Sequence, residues 1–87
     1  MDIVDKRVVV TGAASGIGKA LAIEFKNEKA KDVVLADLNE DVLKVAEELG
    51  FSGFALNVGK EEEVKGLISF ANEKMGGIDI FCSNAGI

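Results

Sequence analysis

Residues 8–18 decide the fold, and they read Val-Val-Val-Thr-Gly-Ala-Ala-Ser-Gly-Ile-Gly. Three consecutive β-branched residues predict a buried strand, and the glycines that follow interrupt it. Apolar residues then recur at helical spacing, which predicts a first helix that opens within the glycine loop and runs to about residue 28. The inward face of this helix is expected to consist of Ile17, Ala20, Leu21 and Phe25.

The same alternation continues through residues 33–58. A second buried strand, 33–36, ends at Asp37, after which Asn39 can cap a helix that Gly50 stops. The expected inward residues of this helix are Val42, Val45, Ala46 and Leu49. A third strand, 54–56, ends near Asn57 and Val58.

Residues 59–87 add one more helix and one more strand. Gly59 is the expected N-cap, Gly76 and Gly77 the expected terminators, and the inward stripe is Val64, Leu67, Ile68, Ala71 and Met75. Gly66 lies within this helix, where it costs about 1 kcal/mol relative to alanine, and we expect close packing to account for it. Residues 78–82 read as a fourth strand, and 83–87 as a turn.

The order β-α-β-α-β-α-β predicts an α/β fold with a parallel sheet covered by helices on both faces, a three-layer, doubly wound arrangement. With strand order 3-2-1-4, right-handed crossovers place the first two helices on one face and the third on the other. Residues 1–87 are therefore expected to form part of a single domain.

Composition excludes several classes of function. The chain has 87 residues, of which 48% are hydrophobic and 29% charged, as in a globular protein. A net charge of −5 disfavours nucleic acid as a partner. No apolar run approaches the ~20 residues of a membrane span or the core of a signal peptide. The absence of histidine and the single Cys82 leave few ligands for zinc and fit a reducing, cytoplasmic location.

The glycine loop is a candidate diphosphate site. Gly12 allows a sharp turn out of the strand, Gly16 removes a side chain where a ligand would approach, and Gly18 allows the helix to sit close to the sheet. The helix start then offers N–H groups and a positive dipole end. The alternative interpretation is that these glycines only form a turn.

Asp37 follows the second strand about 20 residues beyond the loop, where a carboxylate can accept hydrogen bonds from the 2′- and 3′-hydroxyls of an adenosine ribose. The same carboxylate would repel the 2′-phosphate of NADP. Alternatively, Asp37 is a strand-end or capping aspartate without a ligand. The combination of loop, strand, helix and acid favours dinucleotide binding.

The chain resembles the short-chain dehydrogenase/reductase family, in its main branch. Residues 11–18 have the family spacing Thr-Gly-x-x-x-Gly-x-Gly, and Ser83-Asn84-Ala85-Gly86 is similar to the family's Asn-Asn-Ala-Gly. The resemblance implies a Rossmann-like domain, covers about the first third of a typical member, and implies NAD(H)-dependent oxidoreduction of an alcohol or carbonyl substrate. The residues that the resemblance assigns to the cofactor are Gly12, Ser15, Gly16, Ile17, Gly18, Asp37, Leu38, Asn57, Val58, Asn84, Ala85 and Gly86.

Within this resemblance, Leu38 lies against the adenine, Asn57 and Val58 cover it, and Thr11 and Asn84 brace the sheet around the loop. Relatives that prefer NADP carry a basic residue at the position of Ser15 or Leu38, so NAD is the expected cofactor. Two departures stand out. Asn57 replaces an aspartate, for which we expect weaker contact through the amide oxygen, and Ser83 replaces an asparagine.

The family's chemistry uses a serine, a tyrosine and a lysine that lie beyond the matched part, and these 87 residues contain no tyrosine. We therefore expect no turnover from this chain alone, and we assign it no catalytic residue. An alternative is a non-catalytic NAD-binding or self-associating module. Methyltransferase and receiver or flavodoxin-like folds fit less well, because the former lack the Thr-Gly and Asn-Ala-Gly motifs and the latter need acids or a phosphate loop elsewhere.

An exposed fourth strand and an uncovered apolar face of strands 1 and 4 predict self-association, or pairing with a missing C-terminal part. Residues 78–82 supply Ile78, Ile80 and Phe81, with Asp79 as the charged residue within the strand. Substrate and oligomeric state are not encoded in these motifs.

Overall fold

Strands and helices alternate along the chain in the computed structural model, which describes residues 3–14, 16–57 and 59–83. The strands are β1 (Arg7–Thr11), β2 (Asp32–Asp37), β3 (Ser52–Ala55) and β4 (Ile80–Cys82). The helices are α1 (Gly16–Asn27), α2 (Asp41–Leu49) and α3 (Glu61–Met75). The predicted order is confirmed. β3 begins two residues earlier than predicted, and β4 begins two residues later than predicted.

The four strands form one parallel sheet in the order β3-β2-β1-β4, as predicted. In the central pair Val8 lies opposite Val33, and on its other side Val8 lies opposite Ile80. Because all strands run in the same direction, their carboxyl ends meet along one edge, where ligands of open α/β sheets bind.

The valines of β1 are covered from both faces of the sheet. Val8 and Val10 belong to the core beneath α1 and α2, and Val9 belongs to the core beneath α3. The first two helices therefore lie on one face and the third on the other, as predicted. All three valines are fully buried. The expected exposed apolar face on β1 is therefore wrong, and the exposure is confined to β4, where Phe81 is 42% exposed.

Local signals set most helix ends. The predicted cap of α2, Asn39, lies one residue before the N-cap position, which Glu40 occupies without a side-chain capping bond. The side-chain oxygen of Asn39 nevertheless accepts a hydrogen bond of 2.9 Å from the N–H of Asp41, the first residue of α2. Gly50 and Gly76 end α2 and α3 in left-handed conformations, with φ of 79° and 76°. Gly59 was expected to cap α3, but Lys60 precedes the first helical residue and makes no side-chain capping bond.

The buried face of α1 differs from the predicted one. Phe25 is buried as predicted, and Leu21 is partly buried against the same core. Ile17 is 68% exposed and Ala20 is exposed, however, and Gly18 and Ala22 are buried instead. A Cβ on Gly18 would overlap main-chain atoms of Gly12 and Ala13, so Gly18 lies against the glycine loop. The preceding residue, Ile17, points about 100° away from it around the helix.

The inward face of α3 was also predicted with errors. Leu67, Ala71 and Met75 are buried as expected, but Ile68 is 40% exposed. A Cβ on Gly66 would lie 3.7 Å from the ring of Phe54, which is an ordinary contact, so close packing does not require this glycine.

Arg7 and Asp79 join the amino ends of β1 and β4. The guanidinium donates to both carboxylate oxygens of Asp79, from Nε at 3.0 Å and from NH2 at 3.2 Å, and its NH1 donates to the carbonyl of Gly76 at 3.1 Å. These bonds lower the pKa of Asp79 to about 2 and raise the pKa of Arg7. The pair therefore fixes β4 against β1 at the edge opposite the glycine loop.

Candidate functional site

Hydrogen bonds join the strands where their carboxyl ends meet. The Thr11 hydroxyl at the end of β1 lies 3.4 Å from the carbonyl oxygen of Cys82 in β4 and donates to it. At the other side, the N–H of Leu56 after β3 donates to the carbonyl of Asp37 in β2 at 2.9 Å. These bonds bring the predicted site residues of three strands to one edge, and they confirm that Thr11 links β1 to β4.

Each glycine of the loop has a different physical role. Gly12 has a φ of 67°, which side-chain-bearing residues rarely adopt, and it turns the chain out of β1. A Cβ on Gly18 would lie 1.9 Å from the carbonyl oxygen of Gly12, so α1 packs directly on the loop backbone. Gly16 has a φ of 57°, and a Cβ placed there would meet nothing within 4 Å. The space beside Gly16, in the direction that a Cβ would take, is therefore open to a ligand.

Two amides of the loop are already bonded within the protein. Ala13 donates its N–H to the carbonyl of Ala36 at 3.1 Å, and Ala14 donates its N–H to Asp37 Oδ2 at 2.9 Å. These two groups point to the end of β2 and not to a diphosphate. The donors that remain for an anion lie in the first turn of α1, whose N–H groups have no intrahelical acceptor. Sequence reasoning did not find the role of Ala14, because a main-chain donor leaves no mark in the side-chain pattern.

The Asp37 carboxylate has two protein donors. Besides the bond from Ala14, its Oδ1 accepts the N–H of Asn39 at 2.9 Å. Each carboxylate oxygen has two lone pairs, so an acceptor position remains on each for a hydroxyl group. Among the described residues, no lysine or arginine forms an ion pair with this carboxylate. Asp37 is thus a strand-end brace that retains the capacity to bind a diol.

Two large apolar side chains near the carboxyl edge of the sheet are exposed. Leu38 follows Asp37 directly and is 71% exposed. Ile17, at the start of α1, is 68% exposed. Exposed apolar side chains beside polar acceptors fit the flat face of a base and the edge of a sugar.

Asn57 is more engaged than the sequence suggested. Its Oδ1 accepts the N–H of Gly59 at 2.9 Å, and its own N–H donates to Glu63 Oε1 at 2.9 Å. One lone pair of the amide oxygen therefore remains as a free acceptor position. A glutamate in the first turn of a helix can reach back to a main-chain N–H before the helix, and the side chain of Glu63 does so at Asn57.

The remaining predicted site residues, Ser15, Val58, Asn84, Ala85 and Gly86, lie outside the described residues. Cys82 is half-buried, and burial raises the pKa of its thiol, so the group stays protonated at neutral pH.

Two negative findings concern the described residues alone. No group of three or more histidine, cysteine, aspartate or glutamate side chains there could hold a metal ion. No helix within residues 3–14, 16–57 and 59–83 has the length and hydropathy to cross a membrane.

Comparisons with known proteins agree with this geometry. The family described as short chain dehydrogenase matches residues 6–87. An NAD-dependent glycerol dehydrogenase of Listeria innocua is 40% identical over 89 residues, covering 99% of this chain and 35% of its own. The 7alpha-hydroxysteroid dehydrogenase of Escherichia coli K12 is 39% identical over 87 residues, covering 93% and 34%.

Among solved structures, a short chain dehydrogenase/reductase of Burkholderia phymatum in complex with NAD superposes with a TM-score of 0.88. It is 26% identical, and the match covers 93% of this chain and 31% of that one. The chain spans about a third of the length of these relatives. The family match over nearly all residues, the strand order and the glycine loop lead to one conclusion: the chain belongs to the short-chain dehydrogenase family.

Proposed function

We propose that these residues bind the adenosine diphosphate half of NAD(H) within a short-chain oxidoreductase that acts on an alcohol or carbonyl substrate. The observation that carries the proposal is the pairing of an open helix start at Gly16 with the Asp37 carboxylate, which is joined to the same loop by a 2.9 Å hydrogen bond. A diphosphate would meet the first-turn N–H groups, and the ribose hydroxyls would meet the carboxylate.

The charge at Asp37 supports NAD over NADP. A 2′-phosphate placed next to this carboxylate would face a like charge with no cation of the described residues paired to it. Two relatives support the same choice, since one is named an NAD-dependent dehydrogenase and the other is described in complex with NAD.

In this proposal the residues of this chain bind and orient NAD, and the bound NAD would supply the hydride acceptor. Leu38 would lie beside the adenine, Asn57 would contact its edge, and Asp37 would fix the ribose. The proposed assignment extends to Ser15, Val58 and residues 84–86 on the basis of the family motifs. The 87 residues include no tyrosine or histidine, and in this proposal the proton donor for a substrate comes from residues outside them.

Titration calorimetry tests this proposal. ADP and NAD are expected to bind with affinities within about three-fold of each other, because only the shared half is contacted, and NADP at least ten-fold more weakly, which corresponds to about 1.4 kcal/mol. Absence of heat with both ADP and NAD would reject the proposal. Equal affinity for NAD and NADP would reject the assignment of Asp37 as the selective residue.

The substrate is left at the level of its class. The two curated relatives are about equally similar to this chain, yet one is named for glycerol and the other for a hydroxysteroid. The part that they share with this chain therefore does not determine which alcohol is oxidised. We include a cytoplasmic location in the proposal, supported by the single thiol at Cys82.

We also propose that the outer edge of β4 pairs with another chain segment, either in a second copy or in a longer protein. β4 lies at the end of the strand order, and Phe81 is the large apolar residue exposed on it. Unpaired N–H and C=O groups beside an exposed aromatic ring favour strand addition.

A further inference from the structure

The Asp37 carboxylate accepts hydrogen bonds from two different segments of the chain. Its Oδ2 accepts from Ala14 in the glycine loop, and its Oδ1 accepts from Asn39 before α2, both at 2.9 Å. The two bonds leave lone pairs on both oxygens, so bracing the loop and binding a diol do not compete. The carboxylate can therefore act on the loop in the absence of any ligand.

Two neighbouring amides of the described part of the loop are bonded to the end of β2. Ala13 is held by the carbonyl of Ala36 at 3.1 Å, and the next amide, Ala14, has the Asp37 carboxylate as its acceptor. On either side of these residues, Gly12 and Gly16 have positive φ angles. Glycine has more accessible backbone conformations than any other residue, so the bonds that Ala13 and Ala14 make to β2 restrain a stretch that starts at a flexible position. The bond to an ionised acceptor is of the stronger, charge-assisted type.

We propose that Asp37 is a positioning residue for the glycine loop, and that affinity for the diphosphate depends on it independently of the ribose hydroxyls. The inference rests on the proposed function, because it concerns the same nucleotide site. Without the carboxylate, the loop populates several conformations, and the apparent affinity falls by the fraction that remains competent to bind. A ligand without ribose hydroxyls then loses affinity as well.

The probe that separates the two roles is 2′,3′-dideoxyADP, which keeps the diphosphate and adenine but cannot bind the carboxylate through hydroxyls. We expect Asp37→Ala to weaken its binding by about ten-fold, and to weaken ADP binding by more, because ADP also loses the hydroxyl contacts. The matched control is Asp32→Ala. Asp32 lies at the other end of β2, where its carboxylate accepts the N–H of Val33 at 2.8 Å, and its removal changes the net charge equally.

The results divide clearly. If Asp37→Ala binds dideoxyADP as well as the parent protein does, the carboxylate only recognises hydroxyls and the inference is wrong. If the parent protein binds neither ADP nor NAD, the proposed function fails instead.

Amide hydrogen exchange tests the brace without any ligand. In the parent protein the N–H of Ala14 is expected to be protected, and in Asp37→Ala its protection is expected to fall at least ten-fold, while Asp32→Ala leaves it unchanged. Unchanged protection of Ala14 in Asp37→Ala would overturn the inference. Asp37→Asn serves as a second variant that retains the side-chain volume. Its single acceptor oxygen can serve Ala14 or Asn39 but not both, so full protection at both amides would also contradict the proposed geometry.

Discussion

Substituting alanine for Gly18 would place a Cβ atom 1.9 Å from the carbonyl oxygen of Gly12, 2.6 Å from its carbonyl carbon and 2.9 Å from Cα of Ala13. All three are main-chain atoms, so no side chain can rotate to make room. Ordinary contact begins at 3.4 Å, and α1 must therefore move about 1.5 Å away from the loop. Because the same loop holds the open helix start, this movement disturbs both stability and the site.

The expected loss can be bounded. Forcing extra volume into a packed position costs about 1–3 kcal/mol, and here the obstacle is backbone, which favours the upper part of that range. Alanine recovers up to about 1 kcal/mol through its higher helix propensity. We expect the free energy of unfolding to fall by about 2 kcal/mol. Urea denaturation followed by circular dichroism is the suitable assay, since the chain contains no tryptophan or tyrosine for fluorescence.

Two other glycines provide matched controls with different expected results. Gly16→Ala has open space but a φ of 57°, so only backbone strain of about 1–2 kcal/mol applies. Gly66→Ala lies inside α3 with its nearest neighbour at 3.7 Å, and is expected to stabilise the protein by about 1 kcal/mol. If Gly18→Ala unfolded at the same urea concentration as the parent while Gly66→Ala raised it, the inferred contact between α1 and the loop would be refuted.

Three further results are expected. The pKa of Asp79 is lowered from 3.8 to about 2, so its contribution to stability is complete above pH ~4 and is lost as the pH falls towards 2. Asp79→Asn should therefore flatten the pH dependence of the urea midpoint between these values. An unchanged slope would count against the Arg7 contact. Leu38→Arg should raise NADP affinity at least ten-fold in calorimetry, whereas Leu43→Arg, an exposed position on α2, should not; equal effects would indicate general charge attraction. Phe81→Lys should lower the average mass measured by light scattering at tens of micromolar, and a parent protein that is already monomeric there would contradict pairing through β4.

The sequence was sufficient for the strand order because each element carries its own signal. Continuous apolar runs at residues 8–10 and 33–36 are typical of strands that are buried on both faces of a sheet. They therefore predict that β1 and β2 lie in its interior, as the structure shows. Gly50 and Gly76 marked helix ends correctly, and Asn39 marked the start of α2 to within one residue, because capping depends on the nearest few residues. These features are local, and local chemistry determines them.

Two features were missed because contacts with main-chain atoms outside the element determine them. Helical spacing placed Ile17 inward, but the approach of Gly18 to the Gly12 carbonyl rotates α1 and exposes Ile17. At the site, the spacing of glycines and acid predicted which residues matter, but not that Asp37 accepts from Ala14. Sequence patterns describe side chains, and the decisive partners here are main-chain oxygens and amides.

The Arg7–Asp79 contact has a consequence for the order of folding. It joins positions 72 residues apart, whereas the first register pair of β1 with β2 joins Arg7 to Asp32, 25 residues apart. Closing the longer loop costs about 0.9 kcal/mol more in chain entropy, so β1, β2 and β3 are expected to assemble first and β4 to dock afterwards. An interaction formed after the transition state acts mainly on the unfolding rate. The ion pair is therefore expected to slow the detachment of β4 from the completed sheet more than it speeds folding.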